Sequence, residues 1–522
     1  MRFRRRETRI SGRLPAVNFI ADVMERSPAS RLGIVAIDAE GGRRDWHFGE
    51  LIARSAGLSG AFAARGVGRG DVVMTLVGNR IEWVLSLLAC WRIGAVALPC
   101  NTQLRRHDLE LRAAAAAPKL CVGEEGLLGE LPGGVEAITL AEVAAVLDED
   151  RPQQAPAAIE DMRPEDPALI VFTSGTSGEP RGVVHAYRYL TGQRAQAEHW
   201  LGAQRGELVW CTTAPGWSKS ARNVFLAPWL TGAAAVIHAG RFDPAQRLDL
   251  AESLGVNVLC QAPTEYRMLA KRAAPRPLPA LRRMVSAGEA LEAETIAVFR
   301  QAMGLEPADG YGQTETGHIA GNLAGDPVRP GSMGRPLPGI EIRIVPLPAA
   351  NGRDPAGDSI PVGEAETGTV GELQLRASTS PTFFSHYLDG ERFEGEWWRS
   401  GDLVRAEGGG HLHFEGRDDD IIISSGYRIG PFEVESVLLS HPAVAEAAAV
   451  AAPDPERGAV VRAIVVLRDR EPSEELAREL QEHCKRETAP YKFPRLVEFA
   501  AELPKTSSGK IRRAALRAAP PA

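Results

Sequence analysis

Residues 169–185 read Leu-Ile-Val-Phe-Thr-Ser-Gly-Thr-Ser-Gly-Glu-Pro-Arg-Gly-Val-Val-His, an apolar strand that runs straight into a hydroxyl- and glycine-rich turn. Thr173, Ser174, Thr176 and Ser177 offer hydroxyl donors, while Gly175, Gly178 and Gly182 let the backbone bend tightly and bring bare N–H groups close to an anion. Such a loop can hold phosphate. The P-loop of the common NTPases is a different object, because Gly-x-x-x-x-Gly-Lys-Ser/Thr cannot be laid on this stretch in any register. An ordinary Ser/Thr/Gly surface turn is the alternative, and the rest of the chain decides between the two.

Further strings of chemistry-bearing residues follow: Gly310-Tyr311-Gly312-Gln313-Thr314-Glu315-Thr316-Gly317, Ser400-Gly401-Asp402-Leu403, Glu415-Gly416-Arg417-Asp418-Asp419-Asp420, Ser424-Ser425-Gly426-Tyr427-Arg428-Ile429-Gly430 and Pro504-Lys505-Thr506-Ser507-Ser508-Gly509-Lys510. With the first loop, and in this order, they resemble the adenylate-forming superfamily of acyl-CoA synthetases, luciferases and peptide-synthetase adenylation domains. Within it, residues 424–435, Trp217-Ser218-Lys219-Ser220 and Ala489-Pro490-Tyr491-Lys492-Phe493-Pro494 are most similar to the medium-chain acyl-CoA synthetases.

The resemblance implies a reaction in two halves. A carboxylate attacks the α-phosphate of ATP to give acyl-adenylate and pyrophosphate, and the thiol of coenzyme A then displaces AMP. Both steps gather negative charge, so catalysis needs cations and oriented N–H groups more than a general base. By the same resemblance, Thr173, Ser174, Gly175, Thr176, Ser177 and Gly178 wrap the phosphates, with Arg181 where most members carry Lys. Tyr311 stacks on adenine, Asp309 accepts from its exocyclic amine, and the turn Gly288-Glu289-Ala290 closes over the ring. Gly310, Gly312 and Gln313 belong to the same string. Thr314 touches the α-phosphate, and Glu315 binds Mg²⁺, a hard cation that wants oxygen. Asp402 and Arg417 grip the ribose hydroxyls, and Arg428 contacts phosphate. Lys510 bridges the substrate carboxylate and the α-phosphate, where a mobile point charge can follow developing charge. Asp419 is the hinge about which a small domain turns to exchange Lys510 for Ser425, Gly426, Tyr427 and Arg457, which line the path of coenzyme A.

For the acid, the resemblance sets Gly312 where acetate-specific members have a Trp that closes the acyl pocket, so a larger acid is expected: medium-chain, branched or aromatic. Trp217, Trp229 and residues 224–226 suggest an apolar lining, with core packing the commoner fate of such residues. Arg222 stands where the closest relatives tend to place an aromatic. Pointing to solvent is its bland reading, and contact with a polar or second carboxylate group of the substrate is the other. Two further functional readings stay open, an adenylating enzyme that loads a carrier-protein thiol and a catalytically silent nucleotide-binding homologue. With only residues 511–522 after Lys510, a fused carrier domain is not expected.

These residues need a scaffold, and 522 residues are too many for one hydrophobic core, so at least two domains are expected. Hydrophobic content of 44%, charged content of 24% and a net charge of −7 fit a globular protein and give no reason to expect nucleic acid or an anionic membrane as a partner. No stretch is apolar over the ~18 residues of a membrane span. The six cysteines are scattered without zinc-ligand spacing and read as reduced thiols of a cytoplasmic protein. The basic opening, Met-Arg-Phe-Arg-Arg-Arg, lacks the apolar stretch of a secretory signal; it reads as a solvated terminus, with a mitochondrial transit peptide as the alternative.

Helical and strand periods alternate from residue 46 to 100, which marks an α/β layer with a largely parallel sheet. Gly66-Val67-Gly68-Arg69-Gly70 is a helix C-cap and turn, because its third glycine falls too early for a dinucleotide fingerprint and no strand precedes it. Residues 124–167, rich in Ala, Pro, Glu and Asp, read as a surface connection. Asp243 N-caps a helix, and residues 282–286 form a strand whose carboxyl end is Gly288-Glu289-Ala290, the edge where open α/β sheets bind ligands. Past residue 331 the β-type patterning among many Gly and Pro predicts a barrel-like subdomain, with a loop over 349–367. The expected fold is α/β: a large domain, 1–418, of α/β layers with that β-barrel-like subdomain, and a small mobile α+β domain, 419–522.

Overall fold

The computed structural model describes residues 17–148, 155–173, 180–289, 291–346, 359–417, 420, 422–424, 427–454, 458–488, 492–505 and 510–518. Two large, mainly parallel sheets dominate. In the seven-stranded sheet the order is His386–Tyr387, Gly182–Ala186, Pro167–Phe172, Val96–Pro99, Val72–Leu76, Leu120–Gly123 and Glu136–Thr139, the last five being parallel. The nine-stranded sheet runs Arg335–Pro336, Gly317–Gly321, Pro307–Gln313, Arg283–Ala287, Val258–Gln261, Leu208–Cys211, Ala234–His238, Leu32–Ile37 and Arg43–His47. Its six strands from Pro307–Gln313 to Leu32–Ile37 are parallel.

Parallel strands are covered on both faces and therefore read as continuous apolar runs, as Val72–Leu76 does. The two sheets share one core, in which helices Phe48–Ala64 and Ile81–Arg92 are packed with Trp83, Trp91, Trp200, Phe225 and Trp229. Trp229 takes the core-packing reading: it donates to the Gly33 carbonyl at 2.9 Å and lies against Phe19, Phe48 and Phe225. On the outer face of the nine-stranded sheet, helices Pro244–Leu254, Pro263–Arg272 and Ala293–Met303 cover a second core. Asp243 caps the first of them through its carboxylate, which accepts from the Gln246 N–H at 2.9 Å.

The expected surface connection over 124–167 is only partly that. Glu136–Thr139 adds an edge strand parallel to Leu120–Gly123, and helix Leu140–Leu147 starts from a capping box made by Thr139 and Glu142. The signal was short and sat in Ala- and Glu-rich sequence, and an edge strand half open to solvent lacks the apolar run of its buried neighbours. Gly66, at φ +76°, ends helix Phe48–Ala64 as expected.

A five-stranded antiparallel sheet follows, Ile360–Pro361, Ile342–Pro346, Val370–Arg376, Trp397–Glu407 and His411–Arg417. The C-terminal unit has strands Val444–Asp454, Gly458–Leu467 and Leu496–Phe499, the hairpin Ile422–Ser424 with Tyr427–Ile429, and helices Pro431–Ser440, Glu474–Glu487 and Arg513–Ala518. It has its own core around Val434, Leu438, Val465 and Leu480. The architecture is thus mixed α/β, with a large N-terminal and a small C-terminal domain. All six cysteines are free and buried. Among the described residues, no helix is long and apolar enough to cross a membrane.

Candidate active site

The first strand–loop closes as a hairpin. Pro167–Phe172 pairs antiparallel with Gly182–Ala186, the Thr173 N–H donates to the Arg181 carbonyl at 2.9 Å, and the Arg181 N–H donates to Thr173 Oγ1 at 3.0 Å. The stem is fixed in this way; Ser174, Gly175, Thr176, Ser177 and Gly178 lie outside the described residues. The Arg181 side chain reaches toward residues 387–391. It pairs with Asp389 at 2.7 Å and Glu391 at 2.6 Å, and its guanidinium lies 3.6 Å from the Tyr387 ring centroid. Tyr387 in turn donates its hydroxyl to Glu315 at 3.0 Å.

Pro307–Gln313 carries the densest part of the site, along its carboxyl end. The Tyr311 hydroxyl donates to Asp402. Gln313 Nε2 donates to Asp402 at 2.8 Å and to the Ser400 carbonyl at 2.7 Å, while its Oε1 accepts from Trp398 at 3.1 Å. Arg417, opposite Asp402 on the neighbouring strand, donates to the Asp402 carboxylate at 3.1 Å. Burial pushes Asp402 up, against the pull of Arg417, Tyr311 and Gln313 toward the ionised form. Asp309 accepts from the Gly310 N–H at 2.9 Å, and burial raises it well above the usual carboxylate range.

At Gly312 the hairpin with Gly317–Gly321 shifts register. A Cβ there would lie 1.9 Å from the Gly317 carbonyl oxygen, so this backbone admits no side chain at 312. At the next strand end, Gly288 has φ +108° and a Cβ on it would meet Lys219 Nζ at 2.6 Å. Lys219 itself donates to the Ala287 carbonyl. Glu289 Oε2 accepts from Thr264 at 3.0 Å and Arg267 at 2.8 Å; Ala290 lies outside the described residues.

Lys510 reaches this cleft from the C-terminal domain. Lys505 and Ile511 pair as an isolated antiparallel bridge, and Lys510 directly precedes Ile511. Its surface is exposed to the solvent of the cleft, yet the protein crowded around it and then the like charge of Lys219 lower its pKa; Glu289, Asp402 and Arg417 also act on it. A cation from the far end of the chain is therefore brought within electrostatic reach of Lys219, Glu289, Asp402 and Arg417. This convergence is what a charge-following catalyst of phosphoryl chemistry requires.

The AMP-binding enzyme family matches residues 24–388, and the AMP-binding enzyme C-terminal domain matches residues 433–510. The chain belongs to the AMP-binding enzymes. It is 37% identical to an uncharacterized acyl–CoA ligase, YtcI, of Bacillus subtilis (strain 168), over 96% of this chain and 95% of the relative. It is 35% identical to the mitochondrial acyl-coenzyme A synthetase ACSM3 of Mus musculus, over 96% of this chain and 90% of that one. Among solved structures, a benzoate CoA ligase from Burkholderia xenovorans LB400 superposes with a TM-score of 0.82 at 28% identity, over 96% of this chain and 100% of the other. This AMP-binding enzyme is an AMP-forming acid–CoA ligase, with ATP, coenzyme A and a small carboxylic acid as its substrates.

The residues expected at the hinge, at phosphate and along the coenzyme A path fall in the C-terminal part of the chain. Asp419, Ser425, Gly426 and Arg457 lie outside the described residues, and Tyr427 and Arg428 are placed by their backbone alone, on strand Tyr427–Ile429 paired with Ile422–Ser424. On the acyl side, Trp217 is half-buried in the loop before helix Arg222–Leu226. Arg222 does not point to solvent; it is 2% exposed. Lys219 is a candidate site residue to which the sequence motifs give no role. Its only signal in the sequence was its place in Trp217-Ser218-Lys219-Ser220, and its position beside Asp309, Gly288 and Lys510 appears only in three dimensions.

Proposed function

We propose that this ligase activates an acid larger than acetate, with a medium-chain, branched or aromatic body, and that the motif residues act as follows. The acid's carboxylate oxygen bonds to the α-phosphorus of ATP as the bond to the bridging oxygen breaks, and pyrophosphate leaves. Lys510 follows the charge that develops at the α-phosphate, with Lys219 as a fixed second cation. Thr314 contacts the same phosphate. Tyr311 offers its ring to adenine, and Asp402 and Arg417 hold the ribose hydroxyls. Asp309 and the backbone of Gly288 and Glu289 edge the base. The coenzyme A sulfur then bonds to the acyl carbon, and AMP departs with the electron pair of the mixed anhydride. A turn of the small domain at Asp419, the boundary between units 1–418 and 419–522, exchanges Lys510 for the 425–427 segment between the two steps.

Glu315 fits Mg²⁺. Among the described residues only Tyr387 hydrogen-bonds its carboxylate, through Oε1, and one carboxylate beside substrate phosphates is how this cation is commonly held. The ion would neutralise phosphate charge there. Six unpaired buried cysteines support a reducing compartment, the cytoplasm.

The observation that carries the reading is the arrival of Lys510 among Lys219, Glu289, Asp402 and Arg417. The larger acid is supported at Gly312, which carries no side chain where the resemblance sets the pocket-closing Trp of acetate-specific members. The test is pyrophosphate release over acids from acetate to decanoate, with benzoate and 2-methylbutyrate, with and without coenzyme A. Turnover that rises from acetate to the longer or ring-bearing acids is expected, with acyl-CoA formed only when coenzyme A is present. Equal or better use of acetate would refute the open pocket, and transfer only to a carrier-protein thiol would favour the loading reading.

A further inference from the structure

The buried seam between the two large sheets holds a polar cluster among apolar neighbours. His185 lies on Gly182–Ala186 of one sheet and His318 on Gly317–Gly321 of the other, with Arg222 at the start of helix Arg222–Leu226 near both. His185 packs on Tyr189 with centroids 4.1 Å apart, and His318 on Trp200 at 3.9 Å. All three are buried, at 0%, 4% and 2% exposure for His185, His318 and Arg222. Nε and Nη1 of Arg222 and both ring nitrogens of His318 have no hydrogen-bond partner among the described residues, while Arg222 is within hydrogen-bond reach of the Tyr189 hydroxyl and His185 of the Thr314 backbone.

That is not a resting state a protein keeps without use. A buried guanidinium without a carboxylate is strongly unfavourable, and removing the partner of a buried ion pair has the same effect. The local charge is one-sided. Burial and then the charge of Arg222 drive His185 down to about 3, and burial and then Arg222 and Lys219 hold His318 well below its ordinary value, so both rings are neutral near pH 7. The other cations near these rings are engaged: Arg188 donates to the Pro381 carbonyl at 2.7 Å, and Lys219 to the Ala287 carbonyl. None of the ion pairs among the described residues supplies Arg222 with an acid. The cluster also adjoins the reacting end of the site. His185 faces the Thr314 backbone, and a Cβ on Gly310 would fall 2.5 Å from His318 Cε1.

Resting on the ligase reading, we infer that the acid carries a second carboxylate at the end remote from the one that is activated, and that Arg222 binds it between His185 and His318. An Arg fork matches a carboxylate with two parallel N–H donors, and the neutral imidazoles can donate to the remaining lone pairs. One carboxylate then meets ATP at Thr314 and Lys510 while the other pairs with Arg222. A monocarboxylate of the same length would leave the guanidinium buried and unpaired, which discriminates more strongly than apolar fit does.

The test compares matched pairs, glutarate with pentanoate, adipate with hexanoate and phthalate with benzoate, by coenzyme A-dependent AMP formation in wild type, Arg222→Met and Arg222→Lys. In wild type the dicarboxylate member of at least one pair should lead in kcat/KM. Arg222→Met should lose on the order of 100-fold on that acid, mainly through KM, and gain on its monocarboxylate partner; Arg222→Lys should keep part of the preference. Thermal melting of the unliganded proteins gives the second arm: freed of an unpaired buried charge, Arg222→Met should melt no lower than wild type. Preference for the monocarboxylate in every pair, or a lower melting temperature in Arg222→Met with an unchanged acid ranking, overturns the inference and makes Arg222 structural, its N–H groups met by water. In the first case the ligase reading still stands. Absence of turnover with every acid, mono or di, strikes that reading instead.

Discussion

The two halves of the cleft are built from the same kinds of residue and finished differently. On the nucleotide side, Asp402 is bound by Tyr311, Gln313 and Arg417, and Gln313 spends both ends of its amide on Asp402, the Ser400 carbonyl and Trp398. On the proposed acyl side, Arg222, His185 and His318 are as deeply buried, and Nε and Nη1 of Arg222 and the ring nitrogens of His318 are left open. A satisfied polar network holds its shape before the ligand comes, and an unsatisfied one borrows its completion from the ligand. On the proposed assignment the nucleotide half is a preformed mould, whereas the acyl half would withhold part of its stability until the right acid supplies a partner.

Lys510 gives the sharpest way to break that contrast, because it belongs to the nucleotide half in one step only. Lys510→Ala should lower acid-dependent pyrophosphate release by about 10²- to 10³-fold, the range for loss of one donor aimed at developing charge. Thioester formation from supplied acyl-adenylate should change little. Since crowding and Lys219 lower the Lys510 pKa, adenylation measured as kcat/KM should fall at high pH before an ordinary lysine near ~10.4 would deprotonate. Bound phosphates favour the ammonium, so the corresponding limb in kcat should lie higher. Coincident limbs would mean that another group is titrating.

Asp402→Asn comes next. The amide keeps the shape but weakens the pairing with Arg417 and presents a donor where Gln313 already donates. ATP binding by isothermal titration should weaken about 10- to 100-fold, the cost of a mispaired buried hydrogen-bonding group. The acid preference should not change, and a change would mean that the two halves are coupled. Gly312→Ala tests the backbone between them. A Cβ 1.9 Å from a carbonyl oxygen forces the hairpin apart, so destabilisation of roughly 2–4 kcal/mol is expected in urea unfolding. A variant as stable as wild type would show that the register shift at 311/312 is soft.

The uneven finish of the cleft also explains what the sequence could tell. Strings such as 310–317 and 504–510 are legible because the nucleotide is constant and demands fixed residues, and the parallel strands are legible because burial on both faces makes them apolar throughout. The helix capped by Thr139 and the edge strand before it escaped because their signals are local and half solvated. Arg222 was visible as an oddity, but whether an arginine points out or in depends on what packs over it. The partners of Arg181 lie beyond residue 388 on a turn with no motif, and Lys219 gains its place beside Asp309 only through the fold.

Arg181 carries the smallest expected effect and closes the comparison from the loop side. It stands where the resemblance asks for a phosphate-binding lysine, yet its guanidinium is half open to solvent, shared by Asp389 and Glu391 and laid on Tyr387. Exposed ion pairs contribute little, and two acids already neutralise this cation. What Arg181 does touch is the ring whose hydroxyl steadies Glu315. Arg181→Ala should therefore raise the KM for ATP by less than about 5-fold, with kcat nearly unchanged, and Arg181→Lys should do less. Tyr387→Phe, which removes the hydrogen bond to Glu315, should shift the Mg²⁺ dependence of turnover while leaving the Arg181 pairs in place. A loss of 100-fold or more in Arg181→Ala, rescued by Lys, would show instead that the side chain abandons its acids for phosphate once ATP is bound, and the loop would then join the acyl half as a part completed only by its ligand.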